Sequence, residues 1–185
     1  MPQEMQEAEA GARQGTVVLP REVQRTLLWD VWNRRHVEAC GLLRGSIDAE
    51  GNWQVTAAHP LRNIAESPFY FEFAPEEVLQ LELAYPGQII GVYHSHPQGP
   101  YGASRTDCET MRRVNQEEQI PWIWLILCGP WTSSPHGAET RADDPVAEAE
   151  RCGWLRQHLL AYYHDPGQGL RQVAVVLQGE EGRSR

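Results

Sequence analysis

The sequence predicts a mixed α/β sandwich, in which helices pack on a single β-sheet. Apolar runs such as Ile89–Tyr93 and Trp122–Cys128 are typical of strands that are buried on both faces. Longer windows, such as residues 20–34, repeat apolar side chains at helical spacing. Because the two kinds of segment interleave along the chain, we expect one sheet covered by helices.

The first part of the chain is expected to supply a strand, a helix and a strand pair. Residues 16–19 form a short predicted strand, and the amphipathic helix over residues 20–34 follows it. Residues 38–45 are apolar and glycine-containing, which indicates a strand near the centre of the sheet. Residues 53–58 are its predicted partner, after a turn.

The middle of the chain alternates loop, strand and helix. Residues 63–68 are expected to form a loop, and the aromatic residues 69–73 a strand. A second helix is predicted over residues 75–85, where glutamates in the first turn complement the helix dipole. Residues 88–95 then form a buried strand.

The last part of the chain repeats the pattern. A third helix is predicted over residues 104–117, and the most apolar run, residues 122–128, is predicted to be a fully buried strand. The remaining predictions are a loop at 129–144, a short helix at 145–156, and a closing hairpin of residues 159–164 with 170–177.

Length and composition fit one domain of a soluble protein. We expect the domain at residues 16–178, with flexible tails at 1–15 and 179–185. The apolar fraction is 41% and the charged fraction 22%, both ordinary values for a globular protein. The net charge of -9 argues against nucleic acid as a partner. No apolar run approaches the length of a membrane span, and the N-terminus lacks the apolar core of a signal peptide.

Two histidines mark the end of a buried strand. Side chains on a strand alternate faces, so His94 and His96 point to one face of the sheet and Ser95 points to the other. Asp107 follows in the next predicted helix. Two imidazoles and a carboxylate can bind one zinc ion and leave a fourth position for water. The spacing therefore predicts a hydrolytic zinc site.

Such a site needs two further groups. Zinc lowers the pKa of a bound water from about 16 to about 7. A nearby carboxylate should take the proton and deliver it to the leaving amine, and Glu38, at the edge of a predicted strand in the same sheet, is the best candidate. Ser104 could donate a hydrogen bond to the developing oxyanion. Ser104 and Asp107 also fit a helix capping box, and both interpretations can hold together.

The spacing of these residues resembles a known motif. The pattern Glu38 … His94-x-His96-x7-Ser104-x2-Asp107 matches, position for position, the JAMM motif of the JAB/MPN+ metalloproteases. One departure is Ala103, where family members often carry proline, and it removes no ligand. The resemblance covers roughly residues 17–128. It includes stretches similar to stand-alone prokaryotic members at 38–43, 63–68, 71–76 and 91–97.

The resemblance implies a fold and an activity. The fold is a single curved, mostly antiparallel sheet flanked by helices, a JAB/MPN-like (cytidine-deaminase-like) sandwich. The activity is that of a zinc metallopeptidase or isopeptidase, whose substrate is a ubiquitin-like or sulfur-carrier protein with a Gly-Gly tail. In the family, the residue matching Glu38 is the general base, the one matching Ser104 assists the oxyanion, and those matching His94, His96 and Asp107 bind zinc.

Two alternatives stay open. Family members without the ligands act as interaction scaffolds, although this chain keeps every ligand position. A zinc amidohydrolase acting on other peptides is the second alternative.

Pro100 and Tyr101, in the loop before Ser104, could line the substrate groove. Trp122 and Trp124 are expected in the core.

The four cysteines and the five other histidines are not predicted to take part in catalysis or metal binding. The four cysteines, at positions 40, 108, 128 and 152, form no CxxC pair, which favours reduced thiols in a cytoplasmic protein. Cys40 and Cys108 fall near the predicted site. Nothing in the sequence lowers the pKa of either thiol, so we expect buried packing rather than a nucleophile. The other histidines, His36, His59, His136, His158 and His164, are expected to be structural or exposed.

Overall fold

The computed structural model describes residues 15–131 and 145–179, and of residues 145–149 and 151 it describes the backbone alone. Most of the predicted tails and of the predicted loop 129–144 lie outside these residues. The helices and strands, in chain order, are β1 Val17–Leu19, α1 Arg21–Asn33, β2 Cys40–Ile47, β3 Trp53–Leu61, α2 Pro75–Ala84, β4 Ile89–His96, α3 Arg105–Arg112, β5 Ile123–Cys128, α4 Pro145–His158, β6 Leu159–Asp165, β7 Gly169–Val173 and β8 Val175–Leu177.

The strands form one sheet in the order β7-β6-β5-β4-β2-β3-β1-β8. Neighbours pair antiparallel except for β4 with β5, β1 with β3 and β1 with β8, which are parallel. β4 and β5 lie in the interior of the sheet, and β5 is buried along its whole length. This arrangement confirms the predicted mixed α/β fold with a mostly antiparallel sheet.

Each face of the sheet has its own apolar core. On one face, Leu27 of α1 and Leu155 of α4 belong to the same buried cluster as Tyr93 and Leu125. On the other face, α3 contributes Met111 to a second cluster; the sheet supplies Leu42, Val92, Trp124 and Ile126 to it. Successive residues of β4 therefore point into different cores, as the alternation of side chains on a strand requires.

The predicted strand at residues 69–73 is wrong. This segment forms no regular strand, and its one ladder contact is an isolated bridge between Asn63 and Phe73. Phe69 and Tyr70 are exposed, to 68% and 50%, instead of packing on the sheet. Aromatic residues have a high strand propensity, but the segment instead lines a cavity described below.

The predicted last strand, residues 170–177, is wrong as a single element. β7 pairs with β6 at one edge of the sheet, whereas β8 pairs with β1 at the opposite edge. Ala174 alone separates β7 from β8, so the sheet must curve far enough to bring its two edges together. The Ala174 carbonyl accepts a hydrogen bond from the Val17 N–H at 2.8 Å, which strengthens this closure.

The predicted third helix is also interrupted. α3 ends at Arg112, and a single π-helical turn, Arg113–Glu117, continues the chain. The other predicted helices and strands agree with the structure within a few residues at their ends. Among the described helices, none has the length and apolar character that a membrane span requires.

A buried polar network ties α1 to the central strands. Asp30, 2% exposed, accepts a hydrogen bond from the Tyr93 hydroxyl at 2.7 Å and pairs with the Arg34 guanidinium. The same guanidinium donates to the carbonyls of Leu61, at 2.6 Å, and Cys40, at 2.8 Å. One ion pair thus joins the helix to β2, β3 and β4.

We expect Tyr93→Phe to lower the free energy of unfolding by about 1.5–3 kcal/mol, because it removes a buried hydrogen bond to a charged carboxylate. Urea unfolding of the purified protein measures the change. Tyr70→Phe, at a half-exposed position, is the matched control and should change stability by less than about 0.5 kcal/mol. Equal losses in both variants would contradict the assigned role of the Tyr93 hydroxyl.

Candidate metal centre

Three side chains meet where β4 ends and α3 begins. His94 Nε2 lies 3.1 Å from His96 Nε2 and 3.3 Å from Asp107 Oδ1, and His96 Nε2 lies 3.2 Å from Asp107 Oδ2. The two imidazoles are buried, at 1% and 3% exposure, and the Asp107 side chain is 12% exposed. Two nitrogens and one carboxylate are therefore close enough to share one ion.

Asp107 is oriented by the start of its own helix. Ser104 is the N-cap of α3: its Oγ accepts from the Asp107 N–H at 3.2 Å, and its own N–H donates to Asp107 Oδ2 at 2.7 Å. This is the predicted capping box. The carboxylate that caps the helix is thus also the one that faces the two histidines.

The loop after β4 orients His96. His96 Nδ1 lies 3.2 Å from the Pro100 carbonyl oxygen. A carbonyl only accepts, so Nδ1 carries the hydrogen. In the neutral imidazole the lone pair of Nε2 is then available to a cation, and in the imidazolium Nε2–H donates to Asp107. Such a hydrogen bond on the far nitrogen is the usual partner of a metal-binding histidine.

An aromatic ring covers His94. The ring of Phe71 stacks on its imidazole with centroids 4.8 Å apart. His94 Nδ1 is buried and has no hydrogen-bond partner among the described residues. The imidazole is therefore held by packing and by its contacts through Nε2.

The electrostatics of the three side chains favour a positive charge between them. Burial alone would lower the pKa of His96, but hydrogen bonds with Asp107 and Cys128 raise it to about 10. Burial would raise the pKa of Asp107, yet its contacts with His94 and His96 hold that pKa well below its usual range. Burial lowers the pKa of His94, which favours a neutral, ligating imidazole. The donor set and its charge preference fit a divalent cation.

Glu38 lies close to the cluster of His94, His96 and Asp107 but is not one of its three members. Its Oε1 lies 3.9 Å from His96 Nε2, and the residue is 5% exposed. Burial, and secondarily the charge of Asp107, raise the pKa of Glu38 to about 7, although His96 opposes the shift. The carboxyl can therefore exist in either protonation state near neutral pH.

The backbone around Glu38 is held by hydrogen bonds with two other segments of the chain. The Glu38 N–H donates to the Ser67 carbonyl at 2.8 Å. Ser95, which points away from the histidines as predicted, accepts from the Ala39 N–H through its Oγ at 2.8 Å. The Ser95 N–H donates to the Ala39 carbonyl at 2.9 Å. Ser95, between the two histidines, thus binds both peptide groups of Ala39, the residue after Glu38.

A cavity of about 490 Å³ opens beside the three side chains. Its wall contains Glu38, His96, Ser104 and Asp107, together with Pro100 from the loop after β4. Most of the remaining lining is aromatic or aliphatic: Phe69, Tyr70, Phe71, Phe73, Val92, Val114, Trp122 and Trp124. Its volume is typical of sites for small ligands and peptide segments.

The chain matches the family described as prokaryotic homologs of the JAB domain over residues 20–143. The chain belongs to this prokaryotic JAB family. This membership confirms the resemblance seen in the spaced motif.

Two relatives of this JAB chain carry a functional name. The desampylase of Haloferax volcanii is 41% identical over 97 residues, which are 50% of this chain and 63% of that protein. The desampylase of Pyrococcus furiosus is 35% identical over 115 residues, which are 60% of this chain and 74% of that protein. The match to the first of them therefore spans less than two thirds of its length.

A solved structure resembles the JAB chain over most of its length. The solution structure of protein DSY2949 from Desulfitobacterium hafniense aligns with a TM-score of 0.58 at 21% identity, covering 89% of this chain and 94% of that one. At this identity the likeness supports the fold alone.

In the structure, all five residues of the spaced motif lie at the cavity or in the cluster beside it: Glu38, His94, His96, Ser104 and Asp107. The two residues predicted to line the substrate groove, Pro100 and Tyr101, lie in different surroundings. Pro100 lines the cavity, whereas the Tyr101 hydroxyl donates to the Gln157 carbonyl at 2.8 Å and fastens the loop to α4. The stacking of Phe71 on His94 was not predicted, because the aromatic run was interpreted as a strand.

The two cysteines near the centre have the character of packed thiols. Cys40 is buried, and burial raises its pKa to about 12. Burial, with a further contribution from Asp107, also raises the pKa of Cys108. A thiol whose pKa is raised is a poor nucleophile at neutral pH. Cys40 is packed as expected, whereas Cys108 is only half-buried.

We expect Ser104→Ala to lower the free energy of unfolding by about 1 kcal/mol, because α3 loses its capping acceptor. Ser46→Ala, at an exposed position of β2, is the matched control and should change it by less than about 0.5 kcal/mol. Urea unfolding of both variants makes the comparison. A Ser104→Ala variant as stable as wild type would show that the cap does not hold the helix start.

Proposed function

We propose that this chain is a zinc-dependent metallopeptidase or isopeptidase, which hydrolyses the bond after the C-terminal Gly-Gly of a ubiquitin-like or sulfur-carrier protein. The observation that carries the proposal is the convergence of His94, His96 and Asp107 beside the buried Glu38 carboxyl. The names of the two desampylases support a ubiquitin-like protein as the substrate class.

His94 Nε2, His96 Nε2 and one oxygen of Asp107 would hold the zinc ion. Two imidazoles, a carboxylate and one exchangeable position form a common catalytic zinc site. When bound, zinc would supply Lewis acidity, which acidifies water and polarises the scissile carbonyl. The Pro100 carbonyl and the Ser104 N–H, which contact His96 and Asp107, would keep these two side chains in place to bind the ion.

Glu38 would move the proton. As the water oxygen bonds to the carbonyl carbon, its proton passes to the Glu38 carboxylate. When the C–N bond breaks, the same proton passes from Glu38 to the leaving amine. A carboxyl whose pKa lies at about 7 is suited to both transfers near neutral pH.

Ser104 would stabilise the developing charge on the carbonyl oxygen. Its Oγ accepts from the Asp107 N–H, and this bond leaves the hydroxyl hydrogen available as a donor. A donor fixed at a helix N-terminus loses little freedom during the reaction, as oxyanion stabilisation requires. The capping and catalytic interpretations of Ser104 are thus compatible.

The cavity beside the site would hold the substrate chain next to the scissile bond. Its apolar wall also favours a second candidate function, a zinc amidohydrolase acting on other peptides. Glycine has no side chain to fill an apolar space, whereas a bulky residue would bury area there. The two candidates differ in the substrate and share the chemistry.

Mass spectrometry of candidate substrates tests the proposal. The panel contains sulfur-carrier proteins extended beyond Gly-Gly, a ubiquitin-like protein joined to a lysine, and peptides with bulky residues at the cleaved bond. We expect cleavage after Gly-Gly that stops when a chelator removes the metal and returns when zinc is added. Cleavage of the bulky peptides alone would favour the amidohydrolase. No cleavage by zinc-loaded protein would refute both.

We expect Glu38→Gln to keep bound zinc and to lose cleavage by a factor of about 10²–10⁴, because the amide cannot accept the proton. Zinc content is measured by elemental analysis, and the rate by mass spectrometry. Glu82→Gln, at an exposed position of α2 outside the cavity lining, is the matched control and should keep the wild-type rate. Full activity of Glu38→Gln would exclude Glu38 as the base.

We expect Thr110→Trp to raise KM by about tenfold or more, because an indole in the cavity displaces the substrate and costs on the order of 1.4 kcal/mol of binding. Bound zinc should not change. Glu109→Trp places the same indole on the exposed side of α3 and is the control. An unchanged KM for Thr110→Trp would show that the substrate does not use this cavity.

A further inference from the structure

Asn63 has a buried side chain with four hydrogen bonds. It follows the end of β3 and is 5% exposed. Its Nδ2 donates to the carbonyls of Glu38 and Tyr70, both at 3.0 Å. Its Oδ1 accepts from the N–H groups of Ala65, at 3.0 Å, and Glu72, at 3.1 Å. Every hydrogen-bonding position of the carboxamide is therefore used.

The partners of Asn63 fix the orientation of its amide. Two of them are carbonyl oxygens, which only accept, and two are backbone N–H groups, which only donate. The opposite orientation would place donors against donors and acceptors against acceptors. Asn63 is thus required as an asparagine, because aspartate of the same shape has no donor for the two carbonyls.

The contact with Glu38 links two parts of the metal centre. Glu38 lies just before β2, so the ladder of β2 begins only after it. Its N–H is bound by Ser67 and its carbonyl by Asn63, and both partners belong to the segment 63–73. The same segment carries Phe71, which stacks on His94. The ends of the segment are joined by the bridge of Asn63 with Phe73 and by the Ile64 N–H, which donates to the Glu72 carbonyl at 2.9 Å. The Asn63 carboxamide adds bonds to Tyr70 and Glu72 and is the group that connects this closed segment to the Glu38 carbonyl.

We propose that Asn63 is a positioning residue that sets the place of the Glu38 carboxyl beside His96. This inference rests on the function proposed above for Glu38. Asn63 itself does not line the cavity and touches no reacting atom. It acts through the Glu38 carbonyl and through the closed conformation of segment 63–73. A displacement of about 1 Å at a catalytic group can cost about 10² in rate, so the effect is measurable.

The chain contains a matched control for this residue. Asn115, in the π-helical turn, is 3% exposed and also makes four hydrogen bonds. Its Nδ2 donates to the carbonyls of Ile120 and Trp122, and its Oδ1 accepts from Trp124 Nε1 and the His164 N–H. No hydrogen bond joins it to Glu38, His94 or His96. Replacing either asparagine by aspartate removes two donors to carbonyls and keeps two acceptors.

The experiment compares Asn63→Asp with Asn115→Asp in the full chain loaded with zinc. For each variant we measure kcat, KM, bound zinc and the midpoint of thermal unfolding. We expect both midpoints to fall. We expect kcat to fall about tenfold or more in Asn63→Asp alone, while its KM and zinc content stay near wild-type values. A crystal structure of each variant gives the distance from Glu38 Oε1 to His96 Nε2, independently of activity.

The outcomes separate this inference from the proposed function. If wild type cleaves no substrate, the proposed function fails, and the crystal structures still decide whether Asn63 positions Glu38. A Glu38 displaced in Asn63→Asp and unmoved in Asn115→Asp supports the positioning. Equal losses of kcat in the two variants, loss of zinc from Asn63→Asp, or an unmoved Glu38 would overturn it.

Discussion

The antiparallel pairing of β2 with β4 places Cys40 opposite His94, and the geometry of the metal centre depends on this register. Side chains alternate along a strand, so a slip of one residue would turn His94 and His96 into the core that Tyr93 occupies. The register also sets the distance between Glu38 and His96, because Glu38 lies two residues before Cys40. The Asp30–Arg34 pair, which contacts both Tyr93 and the Cys40 carbonyl, holds the two strands in this register from the opposite face.

The candidate metal centre uses groups that the fold needs for its own stability. Asp107 caps α3 and faces the histidines, and Ser95, which lies between them in sequence, binds the Ala39 N–H through its Oγ. A ligand that is also a helix cap loses little side-chain freedom on binding an ion, since folding has already restricted it. The cost is desolvation, because the Asp107 carboxylate and the two imidazoles are largely removed from water. A cation at this place relieves that cost, which couples metal binding to folding stability.

The sequence predicted the parts of the structure that depend on local pattern. The alternation of faces placed His94 with His96 and Ser95 opposite, and the Ser-x-x-Asp spacing marked the start of α3. It did not predict the segment 69–73, because a strand and an aromatic cavity wall have the same composition. It also could not separate β7 from β8, since no glycine, proline or other turn residue lies between Val173 and Val175. Their separation depends on which edge strand is available, and this is a property of the closed sheet.

Asn63 illustrates why long-range roles are invisible to pattern. In the sequence it is one polar residue in a predicted loop, where asparagine is common. In the structure its amide joins Glu38, which lies 25 positions earlier, to a segment that ends ten residues later. The aromatic wall, the stacking on His94 and the place of the Glu38 carboxyl therefore share one polar contact. Variation in segment 63–73 would reshape the cavity and move the Glu38 carboxyl together, so under the proposed function substrate choice and rate would change as one property.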